Sequence, residues 1–354
     1  MAREIQVLSS NQPTAIAPAK VSIAHVQLRD LIICPRQSGV VNYVQEQRIL
    51  EHDLTIPDST PRTLAHLSFT PNSITYLPVN ANDTLIAAGG QEAEIHLSLH
   101  TPSSTTTSSS STQKLSTRKV WDFEDRPPGS INNSVFLSSL SLTRSNQSSL
   151  EPRVGISNND ATVKLYDVPM RVRNSTRRLH QVGRVAFDVP INHSSISPDG
   201  RTLISVGDSN KIYFHHMSGS SYITFTPIMT LTIPAPITPP SSLVTYTTSP
   251  AFAASFSTAF SRDGTKFAVG SQEGVVAVWD VRCTTKPLKT FQSERTRSSS
   301  SGSSAGAGGY GRGVGAGSSS RYDATGVTFG GNGRASDWLS DDPYEWTRGT
   351  RAPG

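Results

Sequence analysis

His193, Ser205 and Asp208 are residue types that serve nucleophilic and general-base chemistry, and a histidine with a nearby acid is also what many metal sites use. Their setting points elsewhere. His193 lies in a short run of strand-like alternation, where a histidine is more often a hydrogen-bonded structural residue than a ligand or a base. The sequence holds no Gly-x-Ser-x-Gly elbow set between a strand and a helix. It also holds no His-Glu-x-x-His pair, no phosphate loop ending in Gly-Lys-Ser/Thr and no Cys/His set at zinc spacing. A fold can still gather scattered Ser, His and Asp, so this pattern argues against catalysis only in combination with an architecture. Cys34 and Cys283 imply neither a disulfide framework nor a zinc site; each is expected as a small buried or half-buried side chain beside a strand.

A second group of residues speaks of binding. Arg171, Arg173, Arg177, Arg178 and Arg184 follow the Tyr166-Asp167 strand in a chain of net charge +5. Such a cluster attracts an anionic partner or an import receptor. A solvated hairpin loop is the plainer account, because the arginines are interrupted and no aromatic stacking residue lies among them.

The elements that must position these residues repeat along the chain. Ile196-Ser197-Pro198-Asp199-Gly200 and Phe260-Ser261-Arg262-Asp263-Gly264 can be superposed, each followed by alternating apolar runs. Asp-Gly between two such runs is a hairpin signal, since Gly tolerates the positive φ that matches turn twist to strand twist. Runs ending at Val44, Ser98, Tyr166, His215 and Trp279 also align without gaps and are read as the third strand of five units. Phe69-Thr70-Pro71-Asn72 and Leu142-Thr143-Arg144-Ser145 align with the turn before the second strand. The spacing exceeds the ~40–45 residues of a propeller blade, so the excess is expected in loops. One such insertion is the Ser/Thr tract 101–117, between strands at 94–99 and 119–123. A β-sandwich of short strands is the rival architecture.

Val278-Trp279-Asp280-Val281 carries the dipeptide of a WD repeat, and residues 25–292 resemble WD40 repeats. The runs beginning at Gly89, Asn192 and Ser271 resemble, more narrowly, a fungal family of largely uncharacterised WD40-like proteins that carry a short C-terminal domain of unknown function. The resemblance implies an all-β WD40-type β-propeller with five blade-like units visible and seven in the full-length protein. It marks Asp160, Tyr166, Asp167, His193, Asp199, Gly200, Asp263, Gly264, Trp279 and Asp280 as structural repeat positions. Only Trp279-Asp280 keeps the full dipeptide, with Tyr166-Asp167 a near match. The Asp-His-Ser/Thr-Trp hydrogen-bond chain of that family is incomplete here: His193, Ser205 and Asp208 stand at plausible places, but His215 occupies the Trp position. Blades held mainly by packing are therefore expected.

The resemblance implies a non-catalytic scaffold that binds other proteins through its rim loops, with no cofactor, metal, membrane or small-molecule substrate. Two alternatives follow from particular residues. Phe267 to Arg282 resembles the box by which WD40 substrate receptors join cullin-RING ubiquitin ligases, with Glu273 at its acidic position and Arg282 at the adaptor contact. The basic loop and a Gly-rich segment with Tyr310 and Arg312 suggest nucleic-acid binding, although one Tyr and one Arg fall short of the many copies such binding needs.

Outside the propeller, residues 1–24 read as an N-terminal extension without an apolar signal segment, and the chain is expected to be intracellular and soluble, in cytoplasm or nucleus. Residues 293–335 are Ser/Gly-rich and carry too little apolar surface to offset ordering entropy, which reads as a disordered linker. Residues 336–354 then combine acids with Trp338 and Trp346. Exposed tryptophans are costly, so this segment should dock on a protein surface or open a truncated C-terminal unit. Deleting residues 293–335 is expected to leave the melting temperature nearly unchanged; cooperative loss of β signal in circular dichroism would make the segment structural.

Overall fold

A computed structural model describes residues 19–25, 27–28, 30–104, 115–139, 152–170, 177–235 and 254–292, and every regular element among them is a strand. Runs of Val, Ile, Leu, Thr and Tyr with period-two alternation, broken by Asp-Gly and Asn-Asp turns, leave little else for the backbone to form. The first sheet holds β1 (Ile32–Ile33), β2 (Val40–Gln45), β3 (Arg48–Asp53) and β4 (Arg62–His66). The second holds β5 (Ser73–Pro78), β6 (Thr84–Gly89), β7 (Ile95–Ser104) and β8 (Leu115–Asp125). The third holds β9 (Asn132–Ser138), β10 (Arg153–Asn158), β11 (Thr162–Asp167) and β12 (His180–Ala186). The fourth holds β13 (Ile191–Ile196), β14 (Thr202–Gly207), β15 (Lys211–Ser218) and β16 (Thr224–Thr232). The fifth holds β17 (Ser255–Phe260), β18 (Lys266–Ser271), β19 (Val275–Asp280) and β20 (Lys289–Gln292).

In each sheet the strands follow chain order and pair antiparallel, so each is a meander that needs only local turns. In the second to fifth blades the fourth strand is the most exposed. β9 is buried over all but its last residue, whereas β20 is exposed throughout. The first strands pack side by side in chain order, β1 on β5, β5 on β9, β9 on β13 and β13 on β17. Four-stranded meanders with neighbouring inner strands are the blades of a β-propeller, the architecture that the resemblance to WD40 repeats implies.

Apolar side chains fill the seams between blades. Val44, Ile49 and Leu64 of the first blade meet Ile74 and Ile86 of the second, and Leu97 and Leu85 meet Val135 and Ile156 of the third. In the last seam Phe214 packs edge-on against Phe267 (centroids 5.1 Å apart), and Phe267 stacks on Trp279 (5.1 Å, 6° between planes). Trp279 is 2% exposed. The two Asp-Gly turns form as expected: Gly200 and Gly264 take φ of 75° and 72°, and each N–H donates to the carbonyl three residues back, on Ser197 and Ser261.

Four expectations need correction. The run ending at Val44 is β2, the second strand of its blade, and the third is β3. Period-two alternation is the same in every strand, and a first strand of only two residues left the superposition free to slip by one strand. Phe69-Thr70-Pro71-Asn72 precedes β5, and the turn between β5 and β6 is closed instead by Val79 N–H on the Asp83 carbonyl (2.9 Å). Leu142 to Ser145 lie outside the described residues. Cys34 and Cys283 are both exposed, because each stands in a turn beyond a strand end and not within the alternation. The Ser/Thr tract is shorter as a loop than the sequence suggests, since β7 and β8 pair out to Ser104 and Leu115.

Replacing Trp279 by Ala is expected to destabilise the protein by about 3–5 kcal/mol, the usual loss for a large buried ring. A denaturation midpoint close to wild type would show that the stack with Phe267 contributes little.

Candidate interaction rim

Connections from first to second strand and from third to fourth strand emerge on one rim of the propeller. They include 34–39, 54–61, 105–114, 139–152, 168–179 and 281–288. The opposite rim carries second-to-third turns such as 46–47, 159–161 and 272–274, where Glu46, Ala161 and Gly274 adopt positive φ. Most of the longer connections therefore lie on the first rim, where rigid strands hold variable loops, although the opposite rim also carries the fourth-to-first connections, among them 233–254.

Several partner-binding candidates occupy this long-loop rim. Arg177, in the connection from β11 to β12, crosses to the neighbouring blade and places its guanidinium 4.5 Å from the Trp121 ring centroid. Spacing among the arginines gave no sign of this cation–π contact, because the aromatic partner lies far away in sequence. Arg178 is exposed beside it. Arg282 is exposed too, and its side chain folds back on its own turn, with Nε and a terminal nitrogen donating to Asp280 at 2.9 and 2.6 Å. These bonds hold the Asp280 carboxyl down at about 2. Arg171, Arg173, Trp338 and Trp346 lie outside the described residues.

The positions marked as structural repeats make the following contacts. Asp199 and Asp263 take the same place in their blades: each accepts from the Ser two residues back (Ser197 at 2.5 Å, Ser261 at 2.6 Å) and from the N–H two residues on. Asp160 holds Lys164 (2.6 Å) and the Thr162 hydroxyl on the short-turn rim. Asp167 accepts from Arg153 Nε at 2.9 Å. Tyr166 is buried in the seam between second and third blades, and burial, with Asp160 and Asp125 nearby, pushes its hydroxyl up to about 12.

His193, Ser205 and Asp208 do not form one chain. His193 Nδ1 accepts from Thr258 N–H of the next blade (3.3 Å), Ser205 bonds Ser194 (2.9 Å), and Asp208 accepts from Asn192 (2.8 Å). His193 is hydrogen-bonded across the seam to the next blade, and that seam was not legible in the sequence. Asn133 donates to the Ile191 carbonyl (3.0 Å) and Asn192 to the Ser255 carbonyl (3.2 Å), each tying its blade to the next. Val135 N–H reaches Ser73 Oγ (3.2 Å), and Ile74 N–H reaches the Asp30 carbonyl (2.7 Å). A polar residue opening an inner strand was the only available signal. Arg36 was missed as well: from the first blade it donates to Thr84 Oγ1 (2.9 Å) and the His100 carbonyl (3.2 Å), over a cavity of about 80 Å³ in the seam with the second blade.

No family model matches the chain. A protein of Schizosaccharomyces pombe (strain 972 / ATCC 24843), described as uncharacterised, is 31% identical over 142 residues, which span 40% of this chain and 33% of that protein. The crystal structure of Chaetomium thermophilum Sqt1 superposes with a TM-score of 0.45 at 13% identity, covering 75% of this chain and 62% of that one. No helix among the described residues is long and apolar enough to cross a membrane.

Buried titrating groups in the seams oppose one another. Burial lowers His100 and His193 to about 4, and neighbouring charges on His96 and Lys119 add to the shift of His100. Stability from these histidines is complete above 6.5 and is lost as pH falls toward 4. Burial raises Asp30 to about 7, and its Oδ2 has no hydrogen-bond partner although the residue as a whole is half-exposed. Its contribution runs the other way, complete below 3.8 and lost as pH rises to 7. Asp30→Asn keeps the backbone carbonyl that Ile74 uses and removes the ionisation. It is expected to raise the stability at pH 8, by on the order of 2–4 kcal/mol at most, and to leave it unchanged at pH 4. Thermal melts at both values decide this, and destabilisation at pH 8 would mean that the carboxylate is favourably held.

Proposed function

We propose that the protein is a non-catalytic scaffold whose long-loop rim binds other proteins. The observation that supports this most directly is the distribution of loops. One rim has two- to five-residue second-to-third turns together with the fourth-to-first connections, while the other carries most of the longer connections, the exposed Arg178 and Arg282, and the half-buried Arg177 over the Trp121 ring. Exposed arginine and aromatic side chains are enriched where proteins meet, and a rim fixed by strands presents them at little ordering cost. The unit of residues 25–292 is proposed to act as one propeller, with the flanking segments 1–24, 293–335 and 336–354 outside it.

Arg282 supports the ligase reading less well. Its guanidinium is already engaged by Asp280, so an adaptor would have to compete with an intramolecular bidentate contact. Nucleic-acid binding through the arginine loop remains the rival class, and it differs in salt response, because phosphate contacts release counterions.

The test is capture from cells by the full chain and by two charge-reversed variants. Arg177→Glu/Arg178→Glu alters the long-loop rim, and Lys211→Glu, an exposed side chain at the end of a short turn, alters the opposite one. Protein partners are expected to be lost with the first and kept with the second, irrespective of nuclease. Recovery that nuclease abolishes, or that depends only on Lys211, would overturn the proposal.

A further inference from the structure

We infer that the outer edge of the fifth blade is a docking site for residues 337–346 of the same chain. β20 is an edge strand, paired only with β19, so no second strand lies along its outer side over Lys289 to Phe291. All four of its residues are exposed. Phe291 is 50% and Leu288 56% exposed, and Lys289 Nζ lies 5.8 Å from the Phe291 ring centroid. Lys286 is exposed in the turn that leads into the strand. The edge thus combines two large apolar side chains, two ammonium groups and a strand side that no neighbouring strand covers.

Asp337-Trp338-Leu339-Ser340-Asp341-Asp342-Pro343-Tyr344-Glu345-Trp346 is its chemical complement. Four carboxylates stand among two tryptophans, a tyrosine and a leucine, with no lysine or arginine in the segment. The aromatic rings cover Leu288 and Phe291, the carboxylates meet Lys286 and Lys289, and the extended backbone continues the sheet, which is how peptides are taken by open sheet edges. Position favours this occupant over one from outside. About 44 residues separate Gln292 from Asp337, and a Gly/Ser-rich coil of that length has a root-mean-square span of roughly 35 Å. Such a tether supplies an effective concentration on the order of millimolar, so a contact too weak to form between separate molecules is populated within one chain. The inference concerns the outer edge and does not depend on the rim binding a partner.

The experiment is zero-length carbodiimide cross-linking of the full chain, mixed one to one with isotope-labelled full chain and read by mass spectrometry. The expected products join Lys286 or Lys289 to Asp341, Asp342 or Glu345 within one isotopic species. They should be lost in Leu288→Asp/Phe291→Asp, whose melting curve is matched to wild type first because both side chains stand at the surface. They should also be lost in Trp338→Ser/Trp346→Ser, which leaves the blade untouched. Cross-links that join the two isotopic species would assign the edge to a second copy and overturn the inference. So would tail cross-links spread over other lysines, cross-links that survive both variants, or none at all.

Discussion

The first strand of each blade is an edge strand that must be buried, and this conflict governs the molecule. A buried backbone N–H or C=O without a partner costs about as much as a lost hydrogen bond. A meander leaves its innermost strand with one row unpaired, facing the centre where side-by-side packing crowds it against its neighbours. The chain meets the demand from one blade to the next. Ile74 N–H finds the Asp30 carbonyl, Val135 N–H the Ser73 hydroxyl, and Thr258 N–H the His193 ring. The carbonyls of Ile191 and Ser255 take the amides of Asn133 and Asn192. Each tie belongs to two blades, so no blade satisfies its inner edge alone.

These ties also explain why polar residues persist where apolar ones would pack more easily. Ser157, Ser194 and Ser205 form a buried chain of hydroxyls at 2.9 Å steps from the third blade into the fourth. A fully connected network fixes the relative register of two sheets that would otherwise slide on smooth aliphatic faces. Packing supplies most of the stability, as Trp279, Phe267 and Phe214 show in the last seam, and the polar ties select one arrangement of the packed surfaces. An Asp-His-Ser-Trp chain within each blade is then not required. His193 and Asp208, which stand near its usual places, work across blades or at a turn instead.

What could be read from sequence follows the range of the interaction involved. The turns at Gly200 and Gly264 are local, since four residues and one positive φ decide them, and both formed as expected. Strand identity within a blade is less local. In the first blade, where β1 has two residues, alternation alone assigned the run ending at Val44 to the wrong strand. The cysteines erred for a related reason, because a residue just past a strand end reads as part of the alternation although its side chain has already left the sheet. Contacts between blades were not legible at all. Arg177 on Trp121, Arg36 over Thr84 and Asn133 on Ile191 join residues 48 to 58 apart whose types carry no mutual signal until the sheets are stacked.

The way inner edges are closed determines where binding can occur. Asn133, Asn192 and His193 tie blade to blade along the inner strands, so a ligand at those side chains would have to replace bonds that hold the blades together, although the buried hydroxyls of Thr75, Ser134, Ser255 and Thr258 have no hydrogen-bond partner. Outer strands carry no such obligation: β16 and β20 have one open side each and mostly exposed side chains. The long-loop rim is likewise free, because its connections lie beyond the last ladder bond and change without altering register. Arg177 shows the intermediate case, a rim side chain that leaves its own blade to cover an aromatic ring of the preceding one. A partner that engaged this arginine and Trp121 together would contact two blades at once and would therefore sense their relative position.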